Sequence, residues 1–243
     1  MAELTVASFN THWGMGPKWR GHLPFDVVDA CRTIDADVLV LQESWFPDGG
    51  TAQHAEVAAA LGYDAVAVSL ARATGDPHPS LVDRADPAHR KGAGDWCLAV
   101  LSRLPVTGTR TIPLPQLPTD PSSRAVVRVD VEVDGLPLAV HGTHLAHLEM
   151  GVPLIVRRLR AALAPATEAA ILIGDMNMWS WCISAMAPRG WRRTGRGATF
   201  PATRPLARID HLLTTSSVEV LSTEVLPDLG SDHRAIRARL RLS

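Results

Sequence analysis

A chain of 243 residues, 46% hydrophobic and 20% charged, has the composition of an ordinary folded protein, and one α/β domain spanning 1–243 is expected. The net charge of −1 excludes binding to nucleic acid by bulk charge alone, and no apolar run reaches the roughly 18 residues a membrane-spanning helix needs. Cys31, Cys97 and Cys182 are odd in number and far apart, which excludes a disulfide framework or a thiolate zinc site. Met1 to Asn10 opens straight onto an alternating pattern, so a reduced, cytoplasmic protein without a leader is expected.

Leu4 to Phe9 alternates as a strand that stops at Asn10. Phe25 to Ile34 has helical spacing and leads into the buried-strand run Val38 to Leu41. An alanine-rich helix follows from about Ala52 to Leu61, ended by Gly62, then a strand from Tyr63 to Leu70. Arg72 to Gly94 is rich in Pro, Gly, Asp and His and reads as a long loop. Trp96 to Leu101 and Arg124 to Val133 are predicted strands, and Asp134-Gly135 is a hairpin signal joining the latter to Leu136 to Thr143. A helix over Val152 to Ala164 precedes the strand Ala170 to Ile173. Arg208 to Leu213, Val218 to Leu226 and His233 to Leu242 close the chain as strands. In the last of these Arg237, Arg239 and Arg241 alternate with apolar residues, which predicts one core face and one solvated face.

Polar residues recur where these apolar strands stop: Asn10, Gln42-Glu43, His144, Asp175 with Asn177, Asp210 and Asp232-His233. A carboxylate is costly inside a core but well placed at a strand end, where it can meet a cation or partners from neighbouring strands. Singly, each has a plain structural reading as a strand terminator, a tight turn or a cap. In this order, six such ends can share one rim.

Ser8-Phe9-Asn10-Thr11-His12-Trp13-Gly14, Val40-Leu41-Gln42-Glu43, Leu101-Ser102-Arg103, Thr143-His144-Leu145, Ile173-Gly174-Asp175-Met176-Asn177, Arg208-Ile209-Asp210-His211-Leu212 and Ser231-Asp232-His233 together resemble the ordered motifs of the endonuclease/exonuclease/phosphatase (deoxyribonuclease-like) family. The resemblance spans residues 8 to 233. It implies a four-layer α/β sandwich, in which two central, mostly antiparallel β-sheets are flanked by helices, with the site at one edge. It also implies a divalent-metal-dependent phosphoesterase that works by activated-water attack.

Carried over position by position, the resemblance makes Glu43 a hard oxygen ligand for Mg2+ or Mn2+, with Asn10 and Asp232 completing or supporting the metal site. Asp175 resembles the carboxylate that deprotonates the attacking water, and Asn177 a donor to the phosphate oxygens. Asp210 and His233 resemble a carboxylate–histidine pair that favours the imidazolium, with His144 a second donor from the opposite side. His12 and Arg103 are candidate substrate contacts. For Arg103, a structural ion pair at a strand end is the competing reading.

Substrate class stays open. Abasic-site endonucleases of this family carry a tyrosine near the place of His144, and the only tyrosine here is Tyr63. The Thr-His-Leu form is similar to deoxyribonuclease, sphingomyelinase and inositol-phosphatase branches. A nuclease reading rests on residues 189 to 208, where Arg189, Arg192, Arg193, Arg196, Arg204 and Arg208 occur without an acidic residue and with Trp191 and Phe200 between them. Phe200 and Arg204 are the named candidates for binding nucleic acid there. Near-neutral charge supports the alternative of a small phosphate ester, an inositol phosphate or a lipid headgroup. A catalytically inactive binding protein on the same fold is the third reading, disfavoured because none of the acid, amide and histidine positions is missing. Trp179 and Trp181 follow the Asp175 motif and are candidates for a pocket wall.

Overall fold

The computed structural model describes residues 1–17, 21, 23–74, 92–117, 120–147, 157, 159–161, 163 and 167–242. Its centre is two six-stranded sheets. In spatial order the first holds β11 (Val218–Val225), β12 (Ile236–Leu242), β1 (Ala2–Asn10), β2 (Val38–Pro47), β4 (Ala93–Ser102) and β3 (Asp64–Thr74). The second holds β5 (Val106–Pro113), β6 (Ala125–Val133), β7 (Leu136–His144), β8 (Ala170–Asp175), β10 (Asp210–Thr215) and β9 (Trp191–Thr194). Each sheet is mixed, with one parallel pair, β1 with β2 and β7 with β8, among antiparallel neighbours.

Alternation explains the layering. Val6, Val38, Val40, Val100, Val129, Val140 and Ile171 point between the sheets and form the inner core. The residues between them face outward: Phe9, Leu39 and Leu41 pack under the helices α1 (Val27–Ile34) and α2 (Gln53–Leu61). On the far side Leu145, Leu172, Met176 and Leu213 pack with α3 (Ser180–Met186) and with Leu159 and Leu163. Three apolar interfaces thus make four layers, as expected. The sheets come so close at Gly142 that a Cβ there would meet Val100 and Val40 side chains at 2.7 and 2.9 Å.

Helix α1 shows the local logic. Val27, Ala30, Cys31 and Ile34 recur at helical spacing and are buried, and Asp26 Oδ1 caps the first turn by accepting from the Asp29 amide at 2.9 Å.

Several boundaries differ from the sequence-based expectation. β3 and β4 run on to Thr74 and back to Ala93 because they pair with each other that far, so the ends of the expected loop are ladder; 75–91 lie outside the described residues. Most of the helix expected over 152–164 also lies outside them. β5, β9 and α3 were not expected. β5 is an edge strand, half-exposed and without clean alternation, and the four-residue β9 is too short to carry a periodic signal. The solvated face of β12 is as expected: Arg237 pairs with Glu224, Arg239 with Glu3, and Arg241 with Glu3 and Glu219. No helix among the described residues is long and apolar enough to cross a membrane.

Candidate active site

The strand directions bring the polar ends together. The C-terminal ends of β1, β7 and β8 and the middle of β2, which runs on to Pro47 past the expected stop at Gln42-Glu43, meet the start of β10 and the Ser231–His233 turn before β12 at one edge of the sandwich.

Glu43 owes its position to a bulge. Leu41 pairs with Ala99 and Ser44 with Cys97, so Gln42 and Glu43 face the single residue Leu98. Glu43 takes a left-handed backbone, φ 54°, which a non-glycine residue adopts only under constraint. Thr11 supplies part of that constraint, its Oγ1 donating to the carbonyls of Gln42 and Glu43 at 3.1 Å. The Glu43 carboxylate thereby faces Asn10, whose Nδ2 donates to Glu43 Oε1 and to Asp175 Oδ2, each at 3.1 Å.

Asp175 and Asp210 stand directly opposite each other on β8 and β10, both buried. Two carboxylates so placed repel, and His233 sits between them: Nδ1 donates to Asp210 Oδ2 at 3.0 Å, and Nε2 lies 3.7 Å from Asp175 Oδ2. His144, level with Asp175 on β7, presents Nε2 at 3.6 Å from the same Asp175 oxygen and 3.9 Å from Glu43 Oε1. These distances exceed hydrogen-bond length, so both imidazoles face Asp175 without bonding to it. Gly174 lets β7 and β8 approach this closely, because a Cβ there would run into the Thr143 carbonyl. Asn177, also left-handed at φ 49°, turns the chain back so that its amide N–H donates to Asp175 Oδ1 at 2.9 Å, while its Nδ2 donates to the Leu145 carbonyl.

The environments push the titratable groups apart. Burial, with Asp210 nearby, pushes the Asp175 carboxyl up to about 7. Burial opposes the His233 imidazolium, but the carboxylates of Asp210 and Asp175 more than offset it and hold His233 well above its ordinary value. Burial and then Arg124 hold His144 well below its ordinary value. At neutral pH one histidine is therefore charged and the other neutral.

Of the remaining expected residues, Asp232 and His12 are brought to this rim, with His12 Nδ1 3.8 Å from Asp232 Oδ1 and 2.9 Å from the Met15 carbonyl. Phe200 packs on His233 with ring centroids 5.0 Å apart. Arg204 is exposed in the same loop. Arg103 is not part of this site. It follows β4, which runs away from Glu43, and at the opposite edge its Nη1 donates to Asp35 Oδ1 at 2.8 Å while its guanidinium covers the Tyr63 ring. Trp191 does not offer a stacking face, being buried with its indole N–H on the Leu163 carbonyl. Trp179 and Trp181 are 57% and 70% exposed, so neither is packed into a pocket wall.

Sequence reasoning assigned no role to three supporting residues, although Ser231 and His211 stand inside the motifs quoted above. Ser231 Oγ donates to the Asn10 carbonyl at 2.7 Å. Buried Arg124, paired with Asp120 at 2.7 Å, reaches the His144 carbonyl. His211 Nε2 donates to the Met178 carbonyl at 2.8 Å, holding the chain beyond Asn177. A buried arginine at a strand start was the one available signal, and it needed a partner that only the fold supplies.

The donor set suits a hard divalent cation. Asp175, Asp210 and His233 have ligand atoms within 4.8 Å of one another, but a charged His233 has no lone pair for a metal, so these three are a charge-paired cluster in which His233 is hydrogen-bonded to Asp210 and faces Asp175 at 3.7 Å. Glu43 and Asp175 instead offer oxygen on either side of Asn10, without any thiolate. Burial first, and then Asp210, raises the Asp175 carboxyl, and a cation beside it would favour the ionised form.

Paired carboxylates, a charged and a neutral imidazole and an oxygen-rich cation site at a sandwich edge define a hydrolase of phosphate esters. The pattern describing the Endonuclease/Exonuclease/phosphatase family matches residues 7–233, and the chain belongs to that family. No curated protein matches it in sequence. Among solved structures, an endonuclease/exonuclease/phosphatase from Beutenbergia cavernae is 25% identical with a TM-score of 0.75, covering 100% of this chain and 72% of that one. The human Nocturnin catalytic domain with bound sulfate is 15% identical, TM-score 0.67, covering 100% and 94%. A mannosyl-6-phosphatase from Bacteroides thetaiotaomicron is 20% identical, TM-score 0.67, covering 98% and 100%.

Proposed function

We propose that this enzyme cleaves phosphate esters by attack of a water molecule deprotonated by Asp175, and that its substrate is nucleic acid. The observation that carries the chemistry is the convergence of Asn10, His144 and His233 on one oxygen of Asp175, with Glu43 alongside. A magnesium or manganese ion held by Glu43, with Asn10 and Asp232 in support, would polarise the phosphoryl oxygen and neutralise charge on the leaving oxygen.

The chain's own groups divide the remaining work. Asp175 is buried and poised near neutral pH, the range in which a general base is most effective. His233, kept charged by Asp210, offers an N–H and a positive charge to the transferring phosphoryl group. His144, kept neutral, faces the same Asp175 oxygen from the β7 side. Asn177 Nδ2 has one hydrogen committed to Leu145 and a second for a phosphate oxygen. Phe200, beside His233, gives a planar surface for a base.

A small phosphate ester is the second reading, favoured by the net charge of −1 and by Trp191 being core rather than surface. We read residues 1–243 as one domain acting in the cytoplasm, in keeping with three free, buried cysteines. The test is a hydrolysis panel of plasmid, single strands, nucleotides, phospholipids and inositol phosphates, each with magnesium, manganese or chelator. Cation-dependent cleavage of nucleic acid is expected. No hydrolysis of any phosphate ester would sink the chemistry, and cleavage of small esters alone would sink the substrate.

A further inference from the structure

Eight arginines among the described residues are paired with a carboxylate. Arg193, Arg196 and Arg208, at the turn between β9 and β10, are not among them. Arg193 Nη1 donates to the Gly195 carbonyl at 3.0 Å, and its Nε to Ser184 Oγ at 3.1 Å. From the other side Arg208 Nη1 donates to the carbonyls of Arg196 and Gly197. The turn Gly195–Gly197 is therefore gripped by two guanidinium groups, with the exposed Arg196 at its apex, and none of the three has a carboxylate partner among the described residues. Arg208 Nε is buried with no hydrogen-bond partner at all. Like charges gathered without an anion are costly, and burying a guanidinium donor unpaired adds to that cost.

The turn also has a definite place. β9 pairs antiparallel to β10, with Thr194 level with Leu212 and Trp191 level with Thr215, so Thr194 and the turn after it lie toward the catalytic edge. Arg189 and Arg192 lie toward the other end. Arg208 comes two residues before Asp210, the first residue of β10, and the loop it closes carries Phe200 against His233.

We propose that Arg193, Arg196 and Arg208 form a second anion subsite, which binds a phosphate group of the substrate other than the one being cleaved. The inference rests on the phosphoesterase reading and narrows the substrate to molecules with at least two phosphates, either successive phosphates of a nucleic acid strand or those of a small polyphosphate. Arginine suits the task because its planar donors match phosphate oxygens two at a time. Burial, then the neighbouring Arg193, pulls Arg208 down to about 10 against the opposing pull of the Asp210 carboxylate.

The experiment compares kcat/KM of wild type, Arg196→Glu and Arg193→Ala on bis(p-nitrophenyl) phosphate, a single-stranded decanucleotide and an inositol trisphosphate, with magnesium. Arg189→Glu, on the same segment but at the other end of β9, is the control. For Arg196→Glu, the ratio of multi-phosphate to single-phosphate kcat/KM is expected to fall about tenfold, through KM. The slope of log kcat/KM against log salt should become shallower by about one per arginine removed. A selective loss on the decanucleotide assigns the second phosphate to a strand, and one on the inositol trisphosphate to a small polyphosphate. An equal loss on all three substrates, no loss, or an equal loss in Arg189→Glu overturns the subsite. If wild type leaves bis(p-nitrophenyl) phosphate intact, the phosphoesterase reading fails instead. Fluorescence anisotropy with a labelled decanucleotide then still reads the subsite, and unchanged binding by Arg196→Glu overturns it.

Discussion

Asn10 Nδ2 lies 3.1 Å from Asp175 Oδ2, and this one hydrogen bond joins the end of β1 in the first sheet to the end of β8 in the second. The same amide group holds Glu43 at 3.1 Å, so the expected base and the expected metal ligand share one neutral donor. Without it the two carboxylates would have only the neutral His144 imidazole, beyond hydrogen-bond length from each, between them.

Replacing Asn10 by leucine therefore removes a donor from both. The expected cost is about 1–3 kcal/mol of stability, the penalty for leaving buried acceptors unsatisfied, together with a loss of activity of at least about tenfold. Thermal denaturation and steady-state kinetics of the folded variant check both. A variant with wild-type turnover would show that Asn10 only ties the sheets together.

Asp175→Asn keeps the size of the side chain but removes the proposed base. Hydrolysis is expected to fall by about 10²–10⁴-fold. Relief of the repulsion between Asp175 and Asp210 should leave folding intact, so the melting temperature is not expected to drop. Retained turnover would show that another group activates the water.

Cation binding and protonation should be linked. Asp175 is pushed up to about 7 by burial first, and also by Asp210, so near pH 7 a substantial fraction is protonated in the absence of metal. A divalent cation favours the carboxylate form, so binding should release a proton at pH 6–7, and apparent magnesium affinity should rise with pH. Calorimetry in two buffers of different ionisation enthalpy measures the release. Identical heats in both would exclude the linkage.

His211 faces away from Asp210, is fully buried and donates from Nε2 to Met178, and burial pushes its ionisation down to about 4. Its folded value is thus below the ordinary 6.5, so between pH 6.5 and 4 the unfolded chain binds the extra proton. The stability it contributes is present above 6.5 and is lost as pH falls toward 4, by up to about 3 kcal/mol. His211→Phe removes that term, and its stability deficit at pH 7 should shrink on acidification. Parallel denaturant curves for both proteins at each pH would argue against it.

Much of the architecture was legible because it is written in short-range pattern. Alternation in β1, β6 and β12 and the helical spacing of Val27, Ala30, Cys31 and Ile34 identify buried faces from a handful of neighbours. β5 and β9 were not legible, since an edge strand and a four-residue strand need little patterning of their own. Arg103 shows the limit for the site. Its Ser-Arg motif reads the same whether β4 ends beside Glu43 or at the far edge, and the antiparallel pairing of β4 with β2 sends it to the far edge.

By itself the chain determined which polar residues follow apolar strand runs and what chemistry they carry, since periodicity and side-chain type are local properties; that β2 continues past Glu43 to Pro47 was not among them. Tertiary structure alone decided which ends meet. Strand order sets Asp210 directly against Asp175, the bulge opposite Leu98 turns Glu43 toward Asn10, and packing under Leu163 takes Trp191 out of solvent. The charge states of His144 and His233 belong with those decisions. Each follows from burial and from charges that lie tens of residues away in sequence and a few ångströms away in space.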